Sequence, residues 1–346
     1  MYLGYYGLEF NPFDKTLETK YAYETKDFKL LKSRLNYVKD NKTMSLITGN
    51  PGMGKTFAIR SFFNELNKNL YKVIYICMST VTTYEFYKQL CYELGIDPPH
   101  KKIDMFKEIQ EQIKILSKDK SINLIIVLDE AQYLKTEILN DLKMLLNFDL
   151  DSKNYVSLIL VGQPILNSIL RRNIFEALNQ RITISYNMVG ISKEELKEYI
   201  NSRISLAHGN NGIFNEQAFE AIYNACGGSL RVVNNIVNKS LIIGKNKDSQ
   251  TIDSDIILEA ANELALGWFM KDIDDVIFND ILTIIKDNLE LLINIKNNNV
   301  SKIVDYCNNH NLRDLLISQE SITQLTEEVL LALLNASFLY NFIEIE

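Results

Sequence analysis

Short apolar runs alternate with stretches of helical spacing through the first half of the chain. Around residues 26–37 and 103–116, apolar positions recur every three or four residues, which predicts amphipathic helices. Short, mainly apolar runs predict buried strands at residues 44–48, 72–78, 123–129, 155–163 and 182–185. Strands that alternate with helices in this way predict an α/β domain with a parallel sheet, which we place at residues 1–189.

The periodicity becomes wholly helical from Gly190 onward. Ser192 and Glu195 form a capping-box pattern, Asn215 is a residue type that caps helices, and Gly227-Gly228 ends a helix. Residues 190–266 are therefore predicted to form a small four-helix domain. Helical apolar spacing continues beyond it, so residues 267–346 are predicted to form an all-α C-terminal appendix.

Composition and charge indicate a globular protein and leave the kind of partner open. Hydrophobic residues make up 47% and charged residues 23% of the chain, which is typical of a soluble globular protein. The net charge of −7 is uneven, because the chain from Trp268 onward has 5 basic and 13 acidic residues, whereas the part before it has 32 basic and 31 acidic residues. A near-neutral body neither requires nor excludes nucleic acid, so any DNA-binding surface would be local.

Nothing in the sequence indicates secretion or a membrane span. The N-terminus lacks the basic and apolar regions of a signal peptide, and no apolar stretch is long enough to cross a bilayer. We therefore expect a cytoplasmic protein without membrane association. The cysteines are far apart and form no metal-binding pattern, so we expect reduced, buried thiols at Cys77, Cys91, Cys226 and Cys307.

The glycine-rich stretch from Gly49 to Thr56, GNPGMGKT, lies between a predicted strand and a predicted helix. It matches the full G-x-x-x-x-G-K-[ST] pattern of phosphate-binding loops. Glycines let backbone N–H groups face a polyphosphate, and the following helix adds its positive end. Lys55 is predicted to bind the β- and γ-phosphates, and the Thr56 hydroxyl to hold Mg²⁺. We predict nucleotide contacts from Asn50, Pro51, Gly52, Met53, Gly54, Lys55 and Thr56.

A second part of the predicted site lies at the ends of two later strands. The strand at 123–129 runs into Asp129 and Glu130, which we predict to orient Mg²⁺ and to polarise the attacking water, respectively. The next strand ends at Gln163, before Pro164. Two interpretations of Gln163 are open, because it is either a side chain near the γ-phosphate or a turn residue before proline.

Two arginines are candidates for phosphate contacts. Arg181 follows a predicted helix on the flank of the α/β domain, where it could reach the γ-phosphate of a neighbouring protomer. Arg231 lies at the start of a helix, where the helix dipole disfavours a cation unless an anion lies in front of it. The aromatic segment at residues 5–13 also has two open interpretations, since its rings either pack against the edge of the sheet or contact an adenine ring.

This set of motifs resembles an AAA+ ATPase of the ExeA/TniB type, a group that includes transposition regulators such as TnsC and MuB. The resemblance covers residues 1–266. It implies a Walker A motif at Gly49–Thr56, a Walker B motif ending in Asp129 and Glu130, sensor 1 at Gln163, an arginine finger at Arg181 and sensor 2 at Arg231. Further matching residues are Leu128-Asp129-Glu130-Ala131-Gln132, Gly162-Gln163-Pro164 and Gln180-Arg181-Ile182.

The resemblance implies an enzyme that hydrolyses ATP with Mg²⁺ between the protomers of a ring or filament. It also implies binding to double-stranded DNA and recruitment of a transposase. Candidate DNA contacts, each also interpretable as an ordinary surface residue, are Thr82, Thr83, Lys88, Lys101 and Lys102. The alternative is a switch ATPase in secretion, defence or signalling that binds a protein partner through its acidic C-terminal region and does not act on DNA.

Overall fold

A computed structural model describes residues 2–14, 21–77, 82–148, 154–210 and 212–269. These residues form two compact units. The first, an α/β unit, contains residues 21–195 and the short stretch 228–231, and the second, a helical unit, contains residues 2–14, 196–227 and 232–269, within these described ranges. Of the predicted appendix, residues 267–346, the part from residue 270 onward lies outside the described residues.

The α/β unit is built on five parallel strands: β1 (Met44–Gly49), β2 (Tyr71–Cys77), β3 (Asn123–Asp129), β4 (Val156–Gly162) and β5 (Ile182–Met188). Their order in the sheet is β2-β3-β4-β1-β5. Because β1 lies between β4 and β5, its carboxyl end faces the point where the strand order changes, which is where open α/β sheets bind ligands.

Both faces of the sheet are covered by helices, as parallel sheets require. The helices of the unit are α2 (Lys26–Asn41), α3 (Lys55–Asn64), α4 (Thr83–Leu94), α5 (Lys102–Lys114), α6 (Thr136–Leu145), α7 (Ile165–Leu170) and α8 (Glu176–Asn179). Alternate residues of the strands enter two separate apolar cores, since successive side chains of a strand point to opposite faces. One core contains buried side chains of α2 and α3, and the other contains those of α4 to α7.

The helical unit contains the short α1 (Tyr2–Tyr5), most of α9 (Lys193–Leu206), α10 (Glu216–Cys226), most of α11 (Leu230–Asn246) and α12 (Ser254–Phe269). The predicted fold class, a parallel α/β domain followed by a helical region, is confirmed. The finer domain limits of 1–189, 190–266 and 267–346 stay a prediction. Within the described ranges, no helix is both long and apolar enough for a bilayer crossing.

The aromatic segment at the N-terminus belongs to the helical unit, and its two interpretations, packing on the sheet edge or contact with an adenine ring, stay predictions. The Tyr6 hydroxyl donates a hydrogen bond to the Ser249 carbonyl at 2.9 Å, inside the helical unit. A Cβ on Gly244 would lie 2.4 Å from the same hydroxyl, so glycine leaves the space that the tyrosine occupies. Burial, together with Tyr5, raises the pKa of Tyr6 to about 12. The hydroxyl therefore stays a proton donor at neutral pH.

Candidate nucleotide-hydrolysis site

The predicted phosphate loop connects the end of β1 to the start of α3. Gly52 and Gly54 have φ angles of 83° and 92°, in the left-handed region that only glycine adopts without cost. Gly54 is the residue that precedes α3, and Lys55 is the first residue of the helix. The sequence forms this loop because glycine stands at both positions where the backbone must reverse, directly before a helix whose free N–H groups attract an anion.

Lys55 is buried, with 7% of its surface exposed, and folds back on its own loop. Its Nζ donates hydrogen bonds to the Gly49 carbonyl at 2.6 Å and to the Asn50 carbonyl at 3.1 Å. Burial lowers the pKa of Lys55, and Arg231 lowers it further, while Glu130 and Asp129 oppose that shift. The ammonium therefore lies among carbonyl oxygens that phosphate oxygens can replace.

The tip of the loop packs against residues 228–231, which belong to the same unit. The Arg231 N–H donates to the Gly52 carbonyl at 3.3 Å, and the Ser229 hydroxyl donates to the Pro51 carbonyl at 3.4 Å. A Cβ on Gly52 would lie 2.2 Å from Ser229 Oγ and 2.9 Å from Arg231 Cβ. Arg231 is thus held beside the phosphate loop. Met53, in contrast, buries its side chain in an apolar core.

The acid at the end of β3 is paired with the threonine of the loop. Asp129 is buried and its Oδ2 accepts a hydrogen bond from Thr56 Oγ1 at 3.0 Å. The Tyr75 hydroxyl, from the neighbouring strand β2, donates to the same oxygen. Burial raises the pKa of Tyr75, and the hydrogen bond to Asp129 and its charge raise it further. The tyrosine therefore stays protonated and continues to donate at neutral and moderately alkaline pH.

The oxygen donors of Thr56 and Asp129 fit Mg²⁺, which prefers a hydroxyl or carboxylate together with phosphate oxygens and water. When bound, the ion neutralises charge on the phosphates. Cys77 pairs with Asp129 across β2 and β3. Partial burial and the charges of Asp129 and Glu130 raise the pKa of the Cys77 thiol, so the thiol stays protonated beside these acids. Cys77 is exposed, whereas Cys91 and Cys226 are buried as expected.

Glu130 occupies the first position after β3, with φ and ψ of 54° and 39°. Its Oε2 accepts a hydrogen bond from Gln132 Nε2 at 2.6 Å. The other end of the same amide, Gln132 Oε1, accepts from the Gln163 N–H at 3.1 Å. The structure therefore joins the predicted base to the end of β4 through a side chain that the sequence analysis did not assign to the site.

A polar network joins the carboxyl ends of β1 and β5 to the first turn of α7. Asn167 Nδ2 donates to Thr48 Oγ1 at 3.0 Å, and Thr48 in turn donates to Asn187 Oδ1 at 3.0 Å. These residues connect the start of α7 to β1 and β5. Because no motif marks them in the sequence, only the strand order of the fold brings them together.

Arg181 lies between α8 and β5, on the flank of the unit. Its Nη1 donates to the Lys143 carbonyl in α6 at 3.1 Å. Its predicted role toward a neighbouring protomer stays a prediction.

Several of the candidate DNA contacts have structural partners within the chain. Thr82 caps α4 in a capping box with Glu85, and Thr83 donates to Glu137 at 2.8 Å. Lys102 forms an ion pair with Asp141 at 2.5 Å. These contacts support the interpretation of Thr82, Thr83 and Lys102 as ordinary surface residues.

Comparison with known proteins agrees with this geometry. Residues 38–170 match the family described as AAA domain. General secretion pathway protein A of Aeromonas hydrophila is 28% identical over 269 residues, which is 77% of this chain and 49% of that protein. ATP-dependent target DNA activator B of phage Mu is 26% identical over 140 residues, 40% of this chain and 41% of that protein. The chain thus spans half or less of the length of these relatives.

The solved structure of Cdc6p from Pyrobaculum aerophilum shares the fold, with a TM-score of 0.58, 16% identity and coverage of 73% of this chain and 70% of that one. The parallel sheet, the phosphate loop and the acidic end of β3 define a P-loop ATPase of the AAA+ class. Within that class, the chain is similar to the secretion protein and to the phage activator, which agrees with its resemblance to the ExeA/TniB type.

Proposed function

We propose that the chain is an ATP-dependent, DNA-binding regulator of transposition that selects target DNA and recruits a transposase. The observation that carries this proposal is a candidate hydrolysis site, with Thr56 bonded to Asp129 and Gln132 to Glu130, in a chain similar to a phage protein named as an ATP-dependent target DNA activator. ATP-driven activity follows from the AAA domain, and the action on DNA is the proposed step.

In the proposed mechanism the phosphate loop binds ATP and the acids act on the γ-phosphate. Lys55 would exchange the Gly49 and Asn50 carbonyls for phosphate oxygens, and Thr56 and Asp129 would hold Mg²⁺. Glu130 accepts a proton from the attacking water as general base. Gln163, directly after β4, and Arg231, at the start of α11, would contact the phosphates.

ATP binding between protomers is proposed to assemble an oligomer on duplex DNA, and hydrolysis to release it. Arg181 is proposed to reach the γ-phosphate of the neighbouring protomer. If so, Arg181→Ala protein, with its intact phosphate loop, should regain turnover when mixed with Lys55→Ala protein, which supplies an intact arginine. A mixture with no more turnover than the separate variants would contradict that role.

The direct test is fluorescence anisotropy of a labelled duplex of random sequence, with ATP, with ADP and without nucleotide. Salt is held constant, because phosphate contacts make DNA affinity depend on it. The matched control is Lys55→Ala. We expect tight binding with ATP alone and its loss in the variant. Absence of DNA binding in every condition, with ATPase activity intact, would contradict the proposal.

The second candidate is a switch ATPase in secretion that acts through a protein partner. It is favoured by the longer match to General secretion pathway protein A. Light scattering with ATP distinguishes the two candidates. Assembly that requires duplex DNA supports the transposition regulator, whereas assembly of the same extent with and without DNA supports the switch.

A further inference from the structure

The side-chain amide of Gln132 is held at both ends. Its Nε2 donates to Glu130 Oε2 at 2.6 Å, and its Oε1 accepts from the Gln163 N–H at 3.1 Å. An amide has one donating end and one accepting end, so these two partners fix its orientation. Turning the amide over would place an oxygen against a carboxylate and an NH₂ group against an N–H.

The strand next to Gln132 is shaped to receive that amide. Gly162 is the last residue of β4, and a Cβ at this position would lie 2.5 Å from Gln132 Oε1. Leu166 closes the same space, at 2.9 Å from that position. The glycine therefore lets the amide approach the strand closely enough to accept from the Gln163 N–H.

The turn that follows β3 places the side chain of Gln132 next to the side chain of Glu130. Glu130 has left-handed backbone angles and begins a single 3₁₀ turn, Ala131–Tyr133, which the Tyr133 N–H closes by donating to the Glu130 carbonyl at 3.0 Å. Ala131 is fully buried and anchors that turn in the core. A non-glycine residue in the left-handed region costs free energy, and such backbones occur where geometry matters for function.

We propose that Gln132 is a positioning residue for ATP hydrolysis, which aims the Glu130 carboxylate by holding one of its two oxygens. Oε2 is occupied by the amide, so Oε1 is the oxygen left to accept the proton of the attacking water. Because the same amide is anchored on Gln163, the end of β4 sets the direction in which Glu130 points. This inference rests on the proposed role of Glu130 as the general base.

The test is Gln132→Glu, which keeps the shape of the side chain. The new carboxylate can still accept from the Gln163 N–H, but it replaces the donor to Glu130 by an oxygen that repels it. We expect kcat to fall about 10- to 100-fold, since a small misplacement of a catalytic group has effects of this size. The affinity for ATP should stay within about twofold, because Gln132 does not belong to the phosphate loop.

Gln89→Glu is the matched control. Gln89 Nε2 also donates to a glutamate, Glu93, at 2.8 Å, but on the surface of α4. The same chemical change there should leave kcat unaltered. If Gln132→Glu keeps the wild-type kcat, or if it weakens ATP affinity in proportion to kcat, Gln132 does not act through Glu130 and the inference is wrong.

A double variant separates this inference from the role of Glu130 itself. In single-turnover measurements, adding Gln132→Glu to Glu130→Gln should cause no further loss, because residues that act as a unit are not additive. Multiplied losses would mean independent damage and would overturn the inference. If Glu130→Gln alone leaves turnover unchanged, the general-base assignment fails. If Glu130→Gln is inactive and Gln132→Glu is normal, the inference about Gln132 alone fails.

Discussion

The two halves of the site are built in different ways. The phosphate-binding half is one continuous stretch, Gly49–Thr56, whose conformation depends on its own glycines and on the helix that follows. The hydrolysis half is assembled from the ends of β2, β3 and β4, which contribute Tyr75, Asp129 and Gln163. The first half is therefore visible in the sequence as a motif, whereas the second depends on strand order.

The two halves also differ in how their charges are balanced. Lys55 is paired with backbone carbonyls of its own loop, which a ligand can replace. Asp129 and Glu130 are instead paired with side chains from other elements, namely Thr56, Tyr75 and Gln132. Changes in the first half should therefore affect binding as well as turnover, whereas changes in the second half should affect turnover at nearly constant binding.

The largest effect should come from Lys55→Ala. Loss of an ion-assisted contact to phosphate should weaken ATP binding about 10- to 100-fold, and loss of charge stabilisation at the γ-phosphate should lower turnover by about another 100-fold. Equilibrium binding of a fluorescent ATP analogue and steady-state kinetics measure the two parts. Normal ATP affinity in this variant would remove the distinction between the halves.

Glu130→Gln should lower turnover without weakening ATP binding. Turnover should fall about 100- to 10,000-fold, the range for loss of a general base, while ATP affinity stays near that of the wild type. Rapid-quench single-turnover experiments measure the chemical step, and the fluorescent analogue measures binding. Unchanged turnover would remove Glu130 as the base.

How much the sequence alone could predict follows the same division. The five strands, the phosphate loop and the acids were predictable, because apolar runs and a contiguous motif carry them. Gln132 was not assigned, although it stands two residues after Glu130, because its contact with Gln163 exists only once β3 and β4 are adjacent. The contact of Tyr75 with Asp129 could not be predicted for the same reason, since the sequence alone marks Tyr75 as one more apolar residue of a strand.

The contact between the phosphate loop and residues 228–231 can be tested with a pair of glycine variants. Gly52→Ala combines a left-handed φ with a clash against Ser229 and Arg231, so it should destabilise the protein by about 1–3 kcal/mol. It should also weaken ATP binding. Gly95→Ala is the control, because Gly95 has a φ of 82° but nothing lies within 4 Å of its added Cβ. Thermal unfolding should show the larger loss for Gly52→Ala, and equal losses would mean that the contact is unimportant.

Alkaline pH should weaken ATP binding through Lys55. Burial lowers the pKa of this residue in the free protein, and bound phosphates would raise it again. The complex then holds the proton more tightly than the free protein, so affinity is greatest at low pH and falls as pH rises through the pKa of the free protein. Titration calorimetry in two buffers should detect proton uptake on binding in that range. Binding without proton uptake would contradict this expectation.

The smallest effect should come from Tyr75→Phe. The variant removes one hydroxyl that competes with Mg²⁺ for Asp129 Oδ2, while it keeps the ring. We expect the Mg²⁺ concentration for half-maximal turnover to decrease by about threefold, consistent with one partly exposed hydrogen bond. Magnesium titrations at saturating ATP measure the shift. An increase in the required concentration would instead make Tyr75 a helper of the metal site.

The self-contact of Lys55 has a consequence for selectivity. A charged amine that already has two carbonyl partners gains from a ligand only the difference between new and old hydrogen bonds. A nucleoside without phosphates has nothing to exchange for these carbonyls, however well its base fits. The loop thus favours ligands that carry a phosphate chain over ligands that offer only a base.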